Sequence, residues 1–521
     1  MLVLTSREMA GLDQQAINEI GIPGIVLMEN AARGAAAFFR EIVPDLPERR
    51  IAVVAGSGNN AGDGFALARI FYNIGAEVVV VCLRPPEKLS GDALTNYKII
   101  EKMGVATFTW DEAADFQSQW DIVESCDAVI DAILGTGLKS EVQGLYREVI
   151  ERINGLPVPV LAVDVPSGLD ASTGQIFGVA IEATATATFG FLKIGHLMEP
   201  GAGLAGHVRV IDIGIPGQLA AAAGFKRYYL TRQRVSSWIR PRQPATHKGE
   251  AGHVCVLSGS RGKTGAAALI CLGAARAGAG LVTLFIPESL NPILEGKLTE
   301  PMTLPIAETP GQAPALSALH QILEFVRDKQ ALAMGPGIST DPETVALVKE
   351  LVQKVSCPMV LDADAITALA DDPGLLRKAS APIILTPHPG EMARICGCST
   401  AEVQANRLAT ALRFSREYGV HLVLKGYRTV IASPGGELAI NSTGNPAMAS
   451  GGMGDSLTGI IAAFLAQGLE PFRAGCLGTY VHGAAADRVI GNVASRGLLA
   501  TDVLAEIPRE IGILEGFQEN P

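Results

Sequence analysis

Residues 51–83 read IAVVAGSGNNAGDGFALARIFYNIGAEVVVVCL. An apolar run (IAVVAG) passes into a glycine-rich loop (GSGNNAGDG), then a segment with helical spacing of its apolar residues (FALARIFYNIG), then a second apolar run (EVVVVCL). Strands without a polar face are buried on both sides, as in parallel sheets, and parallel neighbours need a crossover long enough to hold a helix. The stretch is therefore a βαβ unit. Working outward, DAVIDAI near 127–133 and PVLAVDV near 159–165 add two strands, each ending in a loop of Gly, Ser and Asp. The expectation is an α/β chain that starts with a doubly wound parallel sheet.

Between Gly214 and Lys248 the chain changes character, running through IPGQLAAAAG and the basic segment FKRYYLTRQRVSSWIRPRQPATHK. A boundary near Gly224 divides it into domains 1–224 and 225–521. After the boundary come HVCVLSGS, RGKTG and AAALICLGAARAG, then the strands LVTLFI, ALAMG, PMVLDAD, PIILTPH, HLVLKG and TVIAS. This is a second α/β domain and not a repeat of the first. Residues 516–521 are expected to be a frayed tail.

Composition excludes several classes. Of 521 residues 48% are apolar and 18% charged, which rules out disorder over most of the chain. A net charge of −11 without a basic run argues against nucleic acid as a partner. Eight cysteines, mostly inside apolar runs, make no disulfide framework, and the close pair Cys396 and Cys398 has no second Cys/His pair for a transition metal. The start MLVLTSREMAGLDQQ lacks the apolar core of a secretion signal. Residues 266–286 reach membrane-spanning length, but Arg276 and the glycines at 273, 278 and 280 divide them into a helix, a turn and a strand. A cytoplasmic protein without membrane partners, and a homo-oligomer, is expected.

Two stretches carry the chemistry. In the first, Gly56 to Gly64 follows a strand and opens a helix, where glycines let backbone amides approach a phosphate. The acid that would clamp an NAD ribose is absent from the second strand's end, where Arg84 stands. Asn59, Asn60 and Asp63 add side-chain oxygens that suit a sugar hydroxyl or a hard cation. Asp131 and Asp164 end predicted strands, where open parallel sheets bind ligands, although turn capping would look the same; Ser167 is either a further hydroxyl ligand or a turn residue. In the second stretch, NPAMASGGMGD (445–455) precedes the apolar helix SLTGIIAAFLAQG. The amides of Gly451, Gly452, Met453 and Gly454 form an anion hole at a helix start, and Asp455 at its mouth can take a proton from a hydroxyl attacking a phosphoryl group.

GSGNNAGDG, DAILGTGL and VDVPSGLD resemble the epimerase domain of the NAD(P)H-hydrate repair enzymes over about the first 220 residues, with a Rossmann-like fold. The resemblance implies a substrate of NADH or NADPH hydrated on its nicotinamide ring, whose R and S epimers are interconverted. It implies that Asn59, Asn60, Ala61, Gly62 and Asp63, with Gly135, Thr136, Gly137, Leu138, Lys139, Ser140 and Glu141, hold the dinucleotide. Asn60, Asp131 and Ser167 would ligate potassium, Asp164 would be the acid/base group, Lys139 a proton donor beside it, and Tyr146 a stacking or hydrogen-bonding contact.

HKGEAGHV, TGAA, MGPG, LDADA, TPHPGE, KGYRT and NPAMASGGMGD resemble, in that order, the NAD(P)H-hydrate dehydratase branch of the ribokinase-like superfamily over roughly residues 228–515. The implied chemistry is phosphorylation of the hydrate's hydroxyl, with Asp455 as base, followed by loss of phosphate. Lys425, Gly426, Tyr427, Arg428 and Thr429, with Gly454, would cradle ADP or ATP carrying Mg²⁺, ADP being favoured. Ala266, Gly337, His388 and Asp455 would line the substrate pocket. Two departures stand out: Lys263 precedes Thr264 where relatives often have an aromatic residue, and Gln143 stands where a basic one is common. The alternatives are a small-metabolite kinase, a non-catalytic N-terminal binding module, and an NADPH oxidoreductase using Arg84.

Overall fold

The computed structural model describes residues 1–491 and 494–517, so the tail expected at 516–521 falls mostly outside the described residues. The chain divides into two compact units, Met1–Phe225 and Lys226–Pro521.

The first unit contains β1 (Val3–Leu4), β2 (Arg50–Ala55), β3 (Glu77–Cys82), β4 (Ala106–Thr109), β5 (Ala128–Ala132), β6 (Val160–Val163), β7 (Ala185–Phe189), β8 (Leu192–Lys193) and β9 (His207–Ile211). Seven of them form one parallel sheet in the order β4-β3-β2-β5-β6-β7-β9. Successive residues of β2 point to opposite faces: Ile51 and Val53 join a core with Phe65 and Phe71, while Ala52 and Val54 join one with Trp110 and Trp120. Two cores explain why the strand has no polar face. The order reverses between β2 and β5, and the loops that leave these strands carry the first set of candidate residues.

Two features depart from the sequence reading. The helix after β2 begins at Asn59, so NNAGDG is its first turns and not a loop. The short strands β1 and β8 pair in parallel, setting Leu4 beside Lys193 and drawing the helix Ser6–Gln15 onto the sheet.

The second unit contains β10 (Arg227–Tyr229), β11 (His253–Leu257), β12 (Leu281–Pro287), β13 (Met302–Ile306), β14 (Ala331–Met334), β15 (Met359–Leu361), β16 (Ile383–Leu385), β17 (His421–Leu424), β18 (Val430–Ala432) and β19 (Leu438–Ile440). They make one sheet in the order β10-β19-β18-β17-β16-β15-β14-β11-β12-β13, parallel except that β18 runs against both neighbours. The helices Thr264–Arg276 and Met453–Ala466 pack closely on one face, where a Cβ on Gly459 would stand 2.1 Å from the Ile270 carbonyl oxygen. No helix among the described residues is long and apolar enough to cross a membrane. The stretch 266–286 resolves into the helix Thr264–Arg276 and strand β12. All eight cysteines are free; Cys396 and Cys398 are half-buried and the other six buried.

Candidate active sites

A cavity of about 720 Å³ opens at the reversal point of the first sheet. Asn59, Asn60 and Asp63 line it, as do Gly135, Thr136, Gly137, Leu138, Lys139, Ser140, Tyr146 and Asp164. Three expected contacts are corrected. Ala61 and Gly62 turn into the protein because the helix already begins at Asn59; Ala61 is fully buried, and both amides bond to the Gly58 carbonyl. Glu141 is exposed and outside the lining. Arg84 stands over the Tyr146 ring at 5.8 Å and faces Asp111 at 3.9 Å.

Asp164 follows β6 with φ 64°, a left-handed backbone that costs a non-glycine residue of order 1–3 kcal/mol and tends to mark functional positions. Its Oδ1 accepts hydrogen bonds from Lys193 Nζ at 2.6 Å, the Phe189 N–H at 3.0 Å and the Thr188 hydroxyl at 3.1 Å. Lys193 is wholly buried and spends its other donors on Thr188 Oγ1 and the Phe189 carbonyl. Burial would raise the Asp164 carboxyl, but the Lys193 charge and these hydrogen bonds outweigh it and hold the group below the usual range. His196 completes the arrangement. Its Nδ1 accepts from the Lys193 N–H, leaving Nε2 to donate to the Asp164 carbonyl, a neutral tautomer consistent with burial lowering it to about 4. The lysine beside Asp164 is thus Lys193; Lys139 is exposed on the cavity loop.

Asn60, Asp131 and Ser167 meet around Leu134. Asn60 Nδ2 donates to the Leu134 carbonyl at 3.2 Å, and Ser167 Oγ accepts from the Leu134 N–H at 2.8 Å. Asp131 is fully buried, bonded to the Ser167 hydroxyl at 2.5 Å and amide at 2.8 Å. The three thus bring a carboxylate, a hydroxyl and a side-chain amide together beside the Leu134 carbonyl, oxygen types that hard cations accept as ligands.

In the second unit, strand ends and one helix start converge. The helix Met453–Ala466 begins after Gly452, at φ 88°, with Asp455 in its first turn. Lys425, after β17, reaches over this start; a Cβ on Gly454 would stand 3.2 Å from its Nζ. Nζ donates to Asp362 Oδ1 at 2.7 Å, and the Thr458 hydroxyl, one helical turn beyond Gly454, donates to Asp362 Oδ2 at 2.9 Å. Burial pushes Asp455 up to about 6, with Asp362 adding, Lys425 opposing and Asp364 adding. The loop before the helix is tethered by Asp487, which accepts from Gly444 N–H at 2.9 Å and Asn445 Nδ2 at 2.8 Å.

Arg407 fixes the KGYRT loop, donating to the carbonyls of Tyr427 at 2.9 Å, Leu424 at 3.1 Å and Lys425 at 3.3 Å. Within the loop, the Thr429 hydroxyl donates to the Gly426 carbonyl, and Arg428 donates to the Tyr229 hydroxyl. His388 caps the helix Pro389–Cys396, its Nδ1 accepting from the Gly390 N–H at 2.9 Å. Gly337 packs on Lys263 and Ala266, and Lys263 pairs with Asp364 at 3.0 Å.

Residues 254–509 match the family described as NAD(P)H-hydrate dehydratase, and residues 24–195 match the YjeF-related protein N-terminus. The bifunctional NAD(P)H-hydrate repair enzyme of Moorella thermoacetica is 46% identical over 99% of this chain and 97% of its own. That of Escherichia coli is 35% identical over 95% and 91%. This chain belongs to the bifunctional NAD(P)H-hydrate repair enzymes. A crystallised ADP/ATP-dependent NAD(P)H-hydrate dehydratase from Bacillus subtilis is 31% identical over 55% of this chain and 99% of that one, with a TM-score of 0.48.

For a repair enzyme of this family, sequence reasoning found the acids and overlooked the groups that set their charge. Lys193 and His196 lie in FLKIGH, a short segment without a recognisable strand pattern. The signal available was a lone lysine in an apolar neighbourhood, which must be paired if buried. Asp362 lay inside LDADA, quoted for its resemblance, yet received no role. Arg407 had no local signal, because its three carbonyl partners lie 17–20 residues away.

Proposed function

We propose that the N-terminal unit interconverts the R and S hydrates of NADH and NADPH at Asp164, and that the C-terminal unit dehydrates the S hydrate at Asp455 with ADP as the favoured phosphoryl donor. The observation that carries the reading is that each site presents a half-buried acid with a lysine acting on it: Lys193, at 2.6 Å, keeps Asp164 ionised, whereas burial raises Asp455 and Lys425 opposes that rise. Asp164, kept ionised, accepts a proton as the hydroxyl-bearing carbon is inverted. The Asn59 side chain and the loop from Gly135 to Ser140 hold the dinucleotide, Asp63 and Tyr146 border it, and Lys139 at the rim meets its phosphates.

The oxygen set of Asn60, Asp131 and Ser167 fits potassium. Bound there, the ion supplies positive charge beside the Gly135 loop where the dinucleotide's phosphates lie.

In the second unit, Asp455 accepts the hydrate's hydroxyl proton as that oxygen attacks the nucleotide's terminal phosphate. A group raised to about 6 is still mostly ionised at neutral pH yet binds a proton readily, which suits a general base. Amides of Gly451, Gly452, Met453 and Gly454 take up charge on the transferring phosphoryl group, and Lys425 supports it. The phosphorylated ring then expels phosphate to restore the dihydronicotinamide. Lys425 to Thr429 hold the nucleotide, while Ala266, Gly337 and His388 border the substrate. Mg²⁺ enters with the nucleotide phosphates, whose oxygens it prefers.

The test is to incubate the protein with both hydrates of NADH, Mg²⁺ and either ADP or ATP, and to follow NADH absorbance. Full recovery with ADP is expected. Recovery of the S fraction alone would overturn the epimerase assignment. A stable phosphorylated product in place of NADH would overturn dehydration in favour of a kinase.

A further inference from the structure

Two carboxyl groups in the first cavity have no protein partner. Asp63 is 8% exposed, lines the cavity, and accepts no hydrogen bond from a described residue. Asp13 lines the same cavity from the helix Ser6–Gln15, and its Oδ1 is buried without a partner. A buried polar atom left unpaired is costly, so two such groups facing one cavity point to a ligand that satisfies them. The helix is firmly placed: β1 pairs Leu4 with Lys193, and Ser6 bonds to the Ser172 hydroxyl through both its amide and its own hydroxyl at 3.0 Å. Asp13 thus precedes residue 24, where the family match begins, yet its helix is fastened to the strand that carries Lys193.

The charged groups that act on Asp13 are Lys193 and Asp164, and Asp63 is in turn influenced by Asp13. Asp92 and Lys139 also line the cavity, and His196 stands behind Asp164. Burial raises Asp13 to about 6, with Lys193 opposing and Asp164 adding. Burial lifts Asp63 well above the usual range, and Asp164 lies below it. Carboxyl groups pushed apart in one cavity let an acid and a base coexist near neutral pH.

We propose that Asp13 is a second acid–base residue of the epimerase cavity, giving a proton to the departing hydroxyl while Asp164 takes one from the water that replaces it. The proposal rests on the epimerase reading of this unit. Dihydronicotinamide is an enamine, so hydration places its hydroxyl on the carbon beside the ring nitrogen. The nitrogen lone pair forms a C=N bond as the C–O bond breaks, and the Asp13 proton leaves with the oxygen as water. Water then adds to the opposite face of the planar carbon, the C=N pair returns to nitrogen, and the surplus proton passes to Asp164. The reverse reaction exchanges the two roles, so no oxidant or reductant is needed.

The full-length protein, assayed for epimer exchange in ¹⁸O-labelled water, is expected to place solvent oxygen in the newly formed epimer. Retention of the original oxygen would overturn the proposal. Asp13→Asn is expected to lower kcat by about 100-fold or more, with KM within about threefold, and Asp13→Glu to recover part of the loss. The variant should melt no lower than its parent at neutral pH, because the native state binds this proton more tightly than the unfolded chain. An unchanged kcat, or a loss confined to KM, would overturn the assignment. The pH profile of kcat separates Asp13 from Asp131, whose carboxyl burial also raises to about 6. An inflection near pH 6 in the unmodified protein that is absent from the residual activity of Asp13→Asn supports Asp13; a flat profile of the unmodified protein from about pH 5 to 7, or an inflection that persists in Asp13→Asn, overturns it. Failure of the epimerase reading itself would look different, since the unmodified protein would then exchange no epimers at all.

Discussion

Lys193 illustrates how one side chain can decide another's chemistry. It is wholly buried, and its ammonium meets Asp164, Thr188 and the Phe189 carbonyl. Lys193→Met would leave a mostly buried carboxylate without its counter-charge, a change that typically costs about 3–5 kcal/mol. Urea titration of the purified variant should show that loss, together with abolished epimer exchange. Asp455 presents the opposite sign. Its pKa is raised from 3.8 to about 6, so proton binding favours the native state at low pH and this contribution is lost as pH rises through about 6. At neutral pH the ionised group therefore weakens the fold. Asp455→Asn is expected to abolish dehydration while melting higher than the parent near neutral pH, the gap narrowing toward pH 5. A lower melting point at neutral pH would contradict the burial argument.

At the scale of elements, long apolar runs were legible because strands buried on both faces leave no polar alternation, as in β2, β3 and β12. β7 was not, since ATATF alternates alanine with threonine and both residue types are buried. Nor were β1 and β8, which are two residues long and stable only through each other and the helix they anchor. Reading NNAGDG as a loop missed that Asn59 opens the helix, and that shift of its start from Phe65 to Asn59 accounts for Ala61 and Gly62 facing inward. Of the site, the strand-end acids Asp131 and Asp164 were readable from position, whereas Lys193 and Asp13 reach the cavity only through the β1–β8 ladder. The KGYRT loop offers an element-scale test. Arg407 holds two of its carbonyls, those of Lys425 and Tyr427, and that of Leu424 just before it, so Arg407→Ala should loosen the nucleotide cradle without touching Asp455. Nucleotide KM is expected to rise about tenfold, equivalent to ~1.4 kcal/mol, with kcat nearly unchanged; a fall in kcat alone would place Arg407 elsewhere in the mechanism.

In the whole molecule, each unit has its own sheet and its own pair of cores, and each site is assembled from residues of a single unit. The chemistry still couples them, because a dehydratase confined to the S hydrate stops when that epimer is consumed, and only epimer exchange delivers the rest. Chains disabled at different sites should therefore rescue each other. Asp164→Asn alone is expected to recover NADH from the S fraction and then continue only at the spontaneous exchange rate, while Asp455→Asn alone recovers none. Mixed together with Mg²⁺ and ADP, the two variants should restore full recovery, at a rate that rises with the concentration of the Asp455→Asn chain. Recovery that stays at the S fraction, whatever that concentration, would mean that the exchanged epimer does not pass through solution between chains.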